Sequence, residues 1–128
     1  MNLGIHYEIA EFVSEQNTAS SYESGLLPVY ATPAMIALME KCACACVAPY
    51  LENGTTTVGT GINVRHVSAS PLGMKITCTA TLIEADGRKL TFKVEADDES
   101  GLIGEGTHER FIVNTEHFMA KCQSKKNS

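Results

Sequence analysis

Two side chains of this sequence stand among neighbours unlike themselves. Glu40 interrupts PAMIALMEKCACACVAPYL, a run from Pro33 to Leu51 whose only charges are Glu40 and Lys41. A carboxylate at helical contact spacing from Ile36, Ala43, Cys44 and Val47 is poorly hydrated, which suits it to take a proton or to attack as a nucleophile. It serves equally well as the one wet edge of a helix. His66 belongs to an alternation in which Val58, Thr60, Ile62, Val64, His66 and Ser68 share one strand face, so its imidazole points at the core or a buried cleft. There it could carry a proton, or it could be a hydrogen-bonded core histidine. Thr32 reads as a helix N-cap with Pro33 at the first helical position, and a cap hydroxyl can also face a pocket. From Thr32 to Glu40 the helix rises about 12 Å. Both reach one atom only if the preceding chain folds back, a long substrate bridges them, or two subunits contribute. Gly59 and Gly61 weaken a strand unless a ligand or backbone comes close, where an N–H could hold an oxyanion, or unless the strand bulges there.

The remaining reactive residue types carry less. Cys42 and Cys46 share a helix face while Cys44 faces away, which is a packing pattern and not the CxxC pairing of zinc sites. His6, His108 and His117 lie apart with no ligand spacing among them, and no metal site is expected. Arg65, Lys75, Arg88, Lys89 and Arg110 are the strand cations that could meet phosphate. A net charge of −5 argues against a general nucleic-acid partner. The uncharged stretch from Cys42 to Leu51 is too short to span a bilayer, and the N-terminal residues have neither a basic start nor an apolar signal core. Five cysteines without an export signal suggest reduced thiols, so a cytoplasmic protein with no membrane contact is expected.

These residues need elements to position them. The run from Pro33 is apolar nearly all round, so it reads as a helix surrounded by protein. The strands supply the wrapping: HYEIAEFV, the segment around Gly59, then Met74, Ile76, Cys78, Ala80 and Leu82 on one face. An Asp86-Gly87 hairpin turn follows, then Leu90, Phe92, Val94 and Ala96, a turn at Ser100 and Gly101, and LIGEGTHERFIVN with Phe111 and Val113 alternating. The order is strand, irregular segment, buried helix and four strands, an α+β fold with an antiparallel sheet around a long central helix, which suggests the hotdog architecture. Residues 1–118 form a single domain in this reading, and 119–128 a polar C-terminal tail.

YATPAMIALME at the helix start, TTVGTGINVRHVSASPLGM in the next strand and GTHERFIV in the last one resemble the fluoroacetyl-CoA thioesterase branch of the hotdog superfamily. The resemblance runs from about Tyr7 to Val113. It implies a homodimer with acyl-CoA sites at the subunit interface and hydrolysis without metal or bound cofactor. It also implies Thr32, Glu40 and His66 as catalytic residues, with Gly59 beside the acyl group and Arg110 binding substrate. One segment departs from the pattern: the residues that carry gating phenylalanines in the fluoroacetate-specific enzyme read SSYESGLLPVYAT and contain no Phe. Fluoroacetyl selectivity is therefore not implied. Tyr22, Leu26, Leu27 and Tyr30 are the side chains there that could line an acyl pocket. Short-chain acyl-CoA hydrolysis is the leading expectation, and a non-catalytic acyl-CoA or small-ligand binding protein the alternative. Enoyl-CoA hydration ranks lower, because it calls for an Asp and a His a few residues apart and none lies near His66.

Overall fold

The computed structural model describes residues 1–127. Five strands, β1 (His6–Phe12), β2 (Thr55–His66), β3 (Lys75–Asp86), β4 (Lys89–Asp98) and β5 (Gly101–Asn114), form one antiparallel sheet in the order β1-β3-β4-β5-β2. A four-residue helix, α1 (Ala19–Tyr22), punctuates the segment expected to be irregular. The long helix, α2 (Thr32–Val47), lies against the concave face, giving the expected α+β hotdog architecture.

The packing follows from the alternation in the strands. Ile76, Cys78, Ala80 and Leu82 of β3 and Leu90, Phe92, Val94 and Ala96 of β4 are all buried, and they meet Met35, Leu38, Met39, Cys42, Ala43, Cys46 and Val47 of α2. The Cys42 and Cys46 thiols face backbone carbonyls, those of Tyr7 and Cys78 and of Ile5 and Ala80, while Cys44 is only half-buried, as their spacing suggests. At Gly104 a Cβ would stand 2.5 Å from the Met35 sulfur and 2.8 Å from the Arg65 carbonyl oxygen, so glycine lets helix and strand close up.

Four expectations need correction. The helix starts one residue early: Ala31 is the N-cap with no side-chain bond, and Thr32 already belongs to the helix. A register shift between Gly59 and Gly61 makes Thr60 the extra residue of a bulge, so Thr57 and Gly59 face inward before it and Ile62, Val64 and His66 after it. Val58 is therefore not on the His66 face. On β5 the inward positions are His108, Arg110 and Ile112, while Phe111 is 39% exposed. Finally, the sheet covers α2 on one side only, leaving Pro33 and Ala37 exposed and Ile36, Glu40 and Cys44 half-buried. At the C-terminus α3 (Thr115–Gln123) runs across the 118/119 boundary, and none of its residues is buried.

Candidate active site

The chain builds two clusters. The first joins the start of α2 to the end of β2, where Thr32 Oγ1 lies 2.7 Å from His66 Nδ1. Because Ala31 occupies the cap position, the threonine hydroxyl is free of helix capping and turns to the imidazole. The other ring nitrogen of His66, Nε2, is buried and has no hydrogen-bond partner among the described residues. It is the ring nitrogen that Thr32 leaves free, covered in this chain and not open to solvent. Burial removes hydration from the imidazolium and holds the His66 pKa below its ordinary value, favouring the neutral base. An open cleft of about 290 Å³ lies here, lined by Val29, Tyr30, Thr32, His66 and Val67 among others. Tyr30 packs edge-on to His66 with centroids 6.5 Å apart, and its hydroxyl donates to Glu11 Oε2 at 2.5 Å. Burial, reinforced by that bond, drives the Tyr30 pKa upward, so the phenol stays protonated and serves as a wall.

The second cluster sits at the bulge. A Cβ on Gly59 would lie 3.1 Å from Glu40 Oε2, 3.4 Å from Arg110 Nη1 and 3.4 Å from His108 Cε1. The missing side chain is what lets a carboxylate, a guanidinium and an imidazole converge on one strand position. Arg110, 7% exposed, donates through Nε to Thr57 Oγ1 at 2.8 Å and through Nη2 to the Thr57 carbonyl at 3.0 Å. Its Nη1 meets His108 Nε2 at 3.2 Å, and His108 Nδ1 meets the Gly61 carbonyl at 2.8 Å. Burial, with the neighbouring Arg110 charge adding to it, lowers the His108 pKa.

Glu40, Gly59 and Arg110 are therefore brought together, and so are Thr32 and His66, but the two groups are separate within one chain. Gly59 to His66 spans about 23 Å of strand. Sequence reasoning missed His108 and Thr57. His108 was weighed only for metal spacing; its place two residues before Arg110 on one strand face was the signal that could have found it.

A model of the family described as fluoroacetyl-CoA-specific thioesterase matches residues 13–116. The chain belongs to this family. The fluoroacetyl-CoA thioesterase of Streptantibioticus cattleyicolor is 44% identical over 97 residues, covering 76% of this chain and 70% of the relative. A solved structure of a fluoroacetyl-CoA thioesterase superposes with a TM-score of 0.92 at 37% identity, covering 98% of this chain and 97% of the other. A thioesterase-superfamily member from Thermus thermophilus reaches a TM-score of 0.92 at 29% identity, covering 98% and 93%. The segment ahead of α2 places few of its large side chains at the site. Tyr30 and Val29 line the His66 cleft, whereas Leu26 and Leu27 are 94% and 64% exposed and Tyr22 is 45% exposed.

Proposed function

We propose that this chain hydrolyses short-chain acyl-CoA thioesters, with Thr32, Glu40 and His66 as catalytic residues, Gly59 and Arg110 at the acyl group, and the site completed by a second copy. The observation that carries the reading is the convergence of Glu40 and Arg110 on Gly59, inside a thioesterase family. Thioester cleavage needs an attacking carboxylate or activated water and a donor for the oxyanion, and little help for the leaving thiolate, whose conjugate acid has a pKa of about 8.5. Glu40 supplies the attack or takes the proton. The bulged strand offers backbone N–H groups, and Arg110 offers fixed positive charge for the oxyanion. Once substrate and water reach it, the His66 Nε2 takes a proton from water and passes it on.

The separation of the clusters supports a dimer. β2 is an edge strand, and the helix face bearing Pro33, Ile36 and Ala37 lacks a cover from its own sheet. If β2 pairs antiparallel with the β2 of a second copy about an axis at Asn63, Ile62 of one chain faces Val64 of the other and, with Thr60 as the extra residue of the bulge, Gly59 comes opposite His66. Glu40 from one subunit and the Thr32–His66 pair from its partner then face one thioester. A cytoplasmic location is part of the same proposal, supported by free cysteines and by the absence, among the described residues, of a helix long and apolar enough to cross a membrane.

Thiol release measured across acetyl-, fluoroacetyl- and propionyl-CoA tests the activity; no release from any of them refutes it. Without gating phenylalanines, acetyl and fluoroacetyl thioesters should turn over at comparable rates. Glu40→Gln and His66→Gln should each be inactive yet folded. Mixed with chain exchange, they should regain up to about a quarter of normal activity, because half the dimers then hold one intact site of two. Sites within single chains would regain none.

A further inference from the structure

The His108 imidazole is buried, 1% exposed, and both its nitrogens are engaged. Arginine has only donors, so the Nη1 of Arg110, 3.2 Å away, can meet His108 Nε2 only if that nitrogen presents its lone pair. The Gly61 carbonyl has only lone pairs, so His108 Nδ1, at 2.8 Å, must carry the proton. The two contacts together permit one protonation state, the neutral ring with hydrogen on Nδ1. A doubly protonated ring would aim N–H at N–H and set two cations in contact.

We propose that His108 is a positioning residue, a neutral Nδ1–H imidazole that accepts from Arg110 Nη1 and holds the guanidinium against Gly59 beside the Glu40 carboxylate. Three bonds then fix Arg110: Nε to the Thr57 hydroxyl, Nη2 to the Thr57 carbonyl and Nη1 to His108. Removing the third lets Nη1 swing, while the two Thr57 bonds keep the side chain in the sheet. The imidazole is in turn anchored at Gly61, on the far side of the bulge that brings Gly59 toward Glu40. The histidine thus ties both sides of the bulge to the arginine. Its importance for turnover rests on the thioesterase reading above; its tautomer does not.

The test uses the full chain in two measurements. Long-range proton–nitrogen NMR of the nitrogen-15-labelled protein at pH 7.5 should show His108 neutral and protonated on Nδ1. A ring protonated on Nε2, or a cation, overturns the proposal. In acetyl-CoA hydrolysis the variants His108→Asn and His108→Gln separate the two bonds. The asparagine amide replaces the donor to Gly61 but cannot reach Arg110, whereas the glutamine oxygen can accept from Arg110. His108→Asn should lose about tenfold to a hundredfold in kcat/KM, mostly in kcat, and His108→Gln should stay within about fivefold of the parent. Equal losses, the reverse order or an unimpaired Asn variant overturn the positioning role. A parent enzyme that cleaves no thioester refutes the proposed function and leaves the tautomer measurement to decide this one; a variant that fails to fold leaves the thioesterase reading untouched and the decision likewise to the tautomer measurement.

Discussion

The Thr32 hydroxyl and the His66 Nδ1 atom are 2.7 Å apart although 34 residues separate them in sequence. The bond exists because the helix begins at Thr32 with Ala31 as its cap, which takes the threonine out of capping. Thr32→Val should therefore leave helix stability almost untouched, losing less than the roughly 1 kcal/mol of a true cap. Turnover should fall about tenfold or more as the imidazole loses its orienting partner, and Thr32→Ser should restore most of it. Thermal melts and acetyl-CoA kinetics on both variants check this. A Val variant that melts early but turns over normally would return Thr32 to a capping role.

The alternation from Ile76 to Leu82 in β3 and from Leu90 to Ala96 in β4 could be read directly because every second residue there is apolar and buried. β2 and β5 obeyed the rule less well, and the site explains why. A bulge at Gly59 to Gly61 changes the inward parity in mid-strand, and parity cannot be counted through an extra residue that sequence does not announce. On β5 the inward positions are given to His108 and Arg110, so a hydrophobic pattern pointed to Phe111 instead. Thr32 and His66 were nameable by resemblance, but their contact required the helix start to shift by one residue.

Gly59→Ala isolates the role of the empty position at the bulge. The new methyl group would make ordinary contact with Arg110 Nη1 at 3.4 Å but sit 3.1 Å from Glu40 Oε2, closer than such atoms usually settle, so the carboxylate must retreat by a few tenths of an ångström. Strand residue 59 has no positive φ, so the backbone accepts alanine without strain. The expected result is a loss of tenfold to about a hundredfold in kcat with a little-changed melting temperature, since small misplacements of reacting groups carry large kinetic costs. Near-normal kcat would show that Glu40 does not work at Gly59.

Stability should depend on pH through His66 and His108. Burial lowers both pKa values from 6.5, so below that value the unfolded chain binds protons that the folded chain resists. Their contribution to stability is full above about pH 7 and is lost as pH falls through 6.5 toward 5. Melting temperatures taken from pH 8 to pH 5 should decline across the lower window, and the decline should be shallower in His66→Gln and in His108→Gln. The slope decides the matter whatever each variant's absolute stability; an unchanged slope in both would exclude these imidazoles as its source.

Glu40 has two jobs open to it, direct attack on the thioester carbonyl to form a mixed anhydride, or removal of a proton from an attacking water. A half-buried carboxylate beside Arg110 and next to apolar Ile36 and Cys44 has lost part of the hydration that blunts a nucleophile, and thiolate departs without a strong acid, which favours direct attack. The carboxylate oxygen then bonds the acyl carbon as the carbon–sulfur bond breaks, and water activated by His66 opens the anhydride at the Glu40 carbonyl. In a single turnover in heavy-oxygen water with enzyme in excess, the label should appear in Glu40 and the released acid should carry the old carboxylate oxygen. Attack of water on the acyl side of the anhydride would label the acid instead, so borohydride is added during turnover to reduce any anhydride, and the Glu40 peptide is weighed for the resulting alcohol. Label confined to the acid with no alcohol formed would assign Glu40 the base role.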